Sequence, residues 1–193
     1  MSLDIVTRDM TTLPTALLDT AKKHMRVNFT DDDALIQGYV AAAIEYFEVF
    51  SGLTIFDSEA GWTPDAAFDH WDAANQAVRC PIQPIREWVA DDDGTDVTAN
   101  YAITGATSGA IRGGGVYLTS TTGTSQSMIG AGITFAIIAG YDDASKIPPS
   151  ILNLILRSAA RLYEDRESTT EISMATVPDW MFELFAGNWI PRV

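Results

Sequence analysis

The stretch from Asp31 to Gly52, DDDALIQGYVAAAIEYFEVFSG, constrains the fold of this chain more than any other. Its three aspartates can accept the free N–H groups of a first helical turn, and their charges sit at the positive end of the helix macrodipole. Apolar residues then recur three and four apart: Leu35, Ile36, Tyr39, Val40, Ala43, Ile44, Phe47 and Phe50. That spacing predicts a helix of about five turns with a wide apolar stripe. Gly52 suits the left-handed position that ends it. A helix this apolar cannot stand alone in water, so the remaining chain must cover it.

With 193 residues, nearly half of them hydrophobic, the chain can build a sizeable core and reads as one domain over 1–193. Its longest apolar run, Ile133 to Ala139, is far too short to cross a bilayer, so no membrane partner is expected. The opening MSLDIVTRDM has no basic segment followed by an apolar one, and no signal peptide is expected. Cys80 is alone, which excludes an internal disulfide and fits a reducing cytoplasm. Twelve basic against 26 acidic side chains leave a net charge of −14. A chain so acidic lacks the cationic surface that wraps nucleic acid by neutralising phosphates. The charge serves solubility, or it lines a surface that DNA must pass without sticking; charge alone does not choose.

Along the chain, Met1 to Leu13 reads as an irregular arm. Pro14 opens a short helix reaching about Met25, with Leu17, Leu18, Ala21 and Met25 on its buried side. The connector from Arg26 to Thr30 is short enough to force an antiparallel helix pair over 14–52. Thr54 to Ala77 is acidic and aromatic and reads as a loop or a weak strand pair. Strand signals follow at Ala77–Arg79 and Ile85–Ala90. Asp91-Asp92-Asp93-Gly94 is a turn, and Val97–Ile103 is the expected return strand. Val116–Leu118 is a short strand between Gly- and Ser-rich stretches, and Ile133–Ala139 reads as a central strand apolar on both faces. Pro148-Pro149 starts a second long helix, Ser150 to about Glu167, and a short one follows Pro178. The expected fold is α+β: an antiparallel helical bundle with a small inserted antiparallel β unit over 76–140, C-terminal helices over 149–186, and an extended tail, 187–193. Leu35, Tyr39, Phe47, Ile151, Ile155 and Leu162 should share one core.

Catalytic chemistry finds little support. His24 and His70 do not form a metal-spaced pair, and the aspartate clusters lack the alternate spacing and terminal Glu of a calcium loop. Gly113-Gly114-Gly115 lacks the lysine of a phosphate loop, and no Gly-x-Ser-x-Gly elbow occurs. Cys80 has no evident His partner and reads as a buried thiol. A hydrolase built on Asp69 with Asp72, or Glu164 with Asp165, would need two carboxylates converging in a cleft. Neither a cofactor nor a metal is expected.

Taken in order, four stretches carry a resemblance: KKHMRVNFTDDDALIQGYVAAAIEYFEVFSG, the proline-bounded CPIQPIREW, the AGY at Ala139–Tyr141, and IPPSILNLILRSAARLYEDRE from Ile147. The chain resembles the head–tail connector proteins of tailed bacteriophages and gene transfer agents, also called adaptor or head-completion proteins, from about Pro14 to Phe185. The tail GNWIPRV departs from the basic-ended tail of that family. The resemblance implies a structural virion protein without catalysis, made in the bacterial host cytoplasm. It implies a homo-oligomeric ring of about twelve subunits between the portal protein and the neck, stopper or tail protein. DNA would pass through its channel without sequence-specific binding. A stopper or a tail terminator of the same particle is the alternative. Candidate contacts to the portal or a neighbouring subunit are Trp180, Phe185, Trp189, Ile190 and Arg192, because aromatic and arginine side chains most often anchor interfaces. Arg157, Arg161 and Arg166 are candidates for a basic or subunit-facing surface.

Overall fold

The computed structural model describes residues 2–8, 12–64, 71–73, 76–105 and 116–164. Three helices are present among them: α1 (Leu17–Met25), α2 (Asp33–Ser51) and α3 (Pro149–Glu164). Nine strands accompany them and form two antiparallel sheets. The larger sheet contains β1 (Ser2–Arg8), β2 (Ser58–Thr63), β9 (Thr134–Ala139), β5 (Ile85–Asp92) and β6 (Thr95–Asp96), in the order β1-β2-β9-β5-β6. The smaller contains β3 (Trp71–Asp72), β4 (Ala77–Arg79), β8 (Tyr117–Ser120) and β7 (Tyr101–Thr104), in the order β3-β4-β8-β7.

The helical bundle with a small β insertion is therefore corrected. Strand pairing begins at Ser2, outside any insertion, and the sheets form a second body with its own core. The N-terminal arm is an edge strand whose partner, β2, lies beyond two helices in the chain. Short-range pattern cannot show such a pairing, because the alternation of seven residues says nothing about a partner fifty residues away. Of the two readings of the acidic stretch after Gly52, a loop or a weak strand pair, strands are found, though not paired with each other: β2 joins the large sheet and β3 the small one. The expected return strand Val97–Ile103 does not run beside β5: Thr95 and Asp96 pair there as β6, Val97 N–H donates to the Ala90 carbonyl at 2.9 Å, and the chain then crosses over to become β7 against β8.

One core belongs to the helices. Leu17 and Ala21 of α1, Ile36, Val40, Ala43, Ile44 and Phe47 of α2, and Ile151, Ile155 and Ala159 of α3 pack with Ile55, Phe56 and Tyr141 from the connecting segments. Two sequence expectations fail here. Leu35 is 41% exposed and Tyr39 and Leu162 are half-buried, because the buried line of α2 runs one residue on, through Ile36, Val40, Ile44 and Phe47. The aspartates also do not cap α2 through their side chains. Asp32 accepts a 2.6 Å hydrogen bond from the Tyr163 hydroxyl, and Asp33 pairs with Lys22 at 2.5 Å, so they tie α2 to α3 and α1. Gly52 does adopt the left-handed conformation, with φ 74°.

The second core lies between the two sheets. Trp62, Ile85, Phe135 and Ile137 from the large sheet meet Val78 and Leu118 from the small one and Val116 just before β8. Cys80 is buried there, and burial pushes its thiol up to about 12. β9 is central as expected and carries apolar residues on both sides, but only one side is buried: Phe135, Ile137 and Ala139 point inward, while Thr134 and Ala136 are exposed. Gly140, at φ +94°, turns the chain from β9 into the helical core, where Tyr141 N–H donates to the Ile55 carbonyl at 3.0 Å.

Candidate assembly surfaces

Glu48 is the one strongly buried acid among the described residues, and it serves the joint between helices and sheets. Its Oε1 accepts the backbone N–H groups of Ile55, at 2.5 Å, and Phe56, at 2.9 Å. Its Oε2 is ion-paired with Arg8 of β1. Desolvation raises its pKa above the usual carboxylate value, against the lowering effect of those hydrogen bonds and of the arginine. A raised carboxylate can signal catalysis, but this one has its oxygens occupied by the protein's own backbone and a neighbouring cation, which is a structural arrangement.

No group of three or more His, Cys, Asp or Glu side chains suited to a metal ion occurs among the described residues. His24 is exposed on the last turn of α1, where a cation suits the helix dipole. His70, Asp69 and Asp165 lie outside the described residues, so neither carboxylate pair is placed.

Arg157 and Arg161 are exposed on one side of α3, away from the core line of Ile151, Ile155 and Ala159. Trp180, Phe185, Trp189, Ile190, Arg192 and Arg166 lie outside the described residues. Two further surfaces escaped the sequence reading. On α2, Leu35, Gly38, Ala42, Tyr46 and Val49 fall three or four apart on the side facing away from the core. Leu35 and Tyr46 are each 41% exposed and Val49 69%. On the outer side of the large sheet, the register sets Glu59, Ile138 and Glu87 in one cross-strand row and Gly61, Ala136 and Val89 in the next. These rows line a trough of about 740 Å³. The α2 stripe was legible in principle, since Val49 and Tyr46 lie off the Ile36–Phe47 line. The trough needed the strand register.

The described residues thus combine three helices, two packed sheets and two exposed apolar faces. Known families and folds give the following likenesses. Residues 15–78 match the model of the Phage gp6-like head-tail connector protein family, a segment that holds α1, α2 and β2. The resemblance read from the sequence is borne out by that match. Among solved structures, the fold is similar to a chain in the virion of a native gene transfer agent particle, at 20% identity and a TM-score of 0.65. It is likewise similar to a chain in the neck of an empty gene transfer agent particle computed with C6 symmetry, at 20% identity and 0.66, and to one in the neck of a native particle computed with C12 symmetry, at 19% and 0.65. Each likeness covers 100% of this chain and 97% of the other. No curated protein sequence matches the chain.

Proposed function

We propose that this chain is a structural subunit of the neck of a tailed-phage-like or gene transfer agent particle. Copies form a ring below the portal, extend the DNA channel, complete the head and present a platform to the next neck or tail protein. The observation that carries this reading is the connector-family match over α1, α2 and β2. The likeness of the whole chain to neck proteins supports it as a matter of fold. The role is mechanical and requires no catalysis or cofactor.

The charge fits a channel wall. About twelve copies at −14 each sum to roughly −170 before screening, which repels DNA and offers it no phosphate anchors. The aromatic C-terminal stretch, with Trp180, Phe185, Trp189, Ile190 and Arg192, would supply docking anchors to the portal or a neighbouring subunit. Mixing the purified chain with its portal protein and imaging the product tests the whole reading. A ring of added density on the portal is expected. A portal that stays bare in excess of this chain overturns it.

A further inference from the structure

We draw no further inference here: the strongest candidate, the acidic pocket of about 310 Å³ between β2, the start of α1 and the turn after β9, has its carboxylates Asp57, Glu59 and Asp142 already held by Arg86, Thr7 and Lys146, and nothing in the structure points to a ligand for it.

Discussion

Arg8, the last residue of β1, is ion-paired with the buried carboxylate of Glu48, forty residues along the chain near the end of α2. The guanidinium also sits 5.9 Å from the centre of the Phe56 ring. One acid thus holds the edge strand, the end of the long helix and the start of β2 together.

Replacing Glu48 should separate its two roles. Glu48→Ala leaves the buried N–H groups of Ile55 and Phe56 without an acceptor and should cost about 2–4 kcal/mol. Glu48→Gln keeps an acceptor oxygen and gives up only the charge, so its cost should be clearly smaller. The pH dependence follows from the raised pKa. The stability that Glu48 gains from holding its proton in the fold is fully present below about 4.5, its unperturbed value, and is lost as pH rises through the raised folded value. The Gln variant lacks this loss, so the gap between wild type and Gln should shift in favour of Gln from pH 4 to pH 7. Urea melts of the three proteins at several pH values would show it, and a gap that widens against Gln would sink the assignment.

Core position and exposed stripe should respond in opposite ways. Ile155 is fully buried between α2 and α3, and Ile155→Ala should cost about 2–5 kcal/mol. Leu35→Ala should cost less than about 1 kcal/mol, since its side chain is 41% exposed and leaves no core cavity. Chemical denaturation of both variants checks the pair, and a costly Leu35→Ala would mean that the stripe is already covered.

Gly140 should tolerate no side chain. A Cβ there would fall 2.1 Å from the Phe56 carbonyl oxygen, and φ +94° is strained for any L-residue. Gly140→Ala should lower stability by more than about 2 kcal/mol. A melting temperature within a degree of wild type would contradict the close approach.

Deleting Gly187 to Val193 should leave a folded protein with a nearly unchanged melting temperature that no longer assembles on the portal. An unfolded product would place these residues in the core and remove their docking role.

What the sequence showed depended on the range of each interaction. The helices were readable because 3.6-residue periodicity and Pro149 or Gly52 at the ends are local signals. Strands β4, β5, β8 and β9 were readable from β-branched runs and turns. The partner of β1 was not, since nothing in SLDIVTR names SEAGWT. The same limit explains the core assignment of Leu35: α2 is apolar on two sides, and periodicity alone could not tell which side faced α3. The site residues of the C-terminal stretch rest on composition alone, and the trough appeared only once β2, β9 and β5 stood side by side.

The strand order also sets a schedule for synthesis. β2 and β5 flank β9, so neither gains its neighbour on that side until residue 139 has been made. Meanwhile α1, α2 and the β1–β2 pair have left the ribosome with the inner edge of β2 still open and no α3 to complete the helical core. Most of the chain must therefore emerge before the two halves of the large sheet are joined, and such non-local closure is slow. A nascent chain in this interval exposes its β2 edge, and the cell has to shield that edge or translate past it quickly.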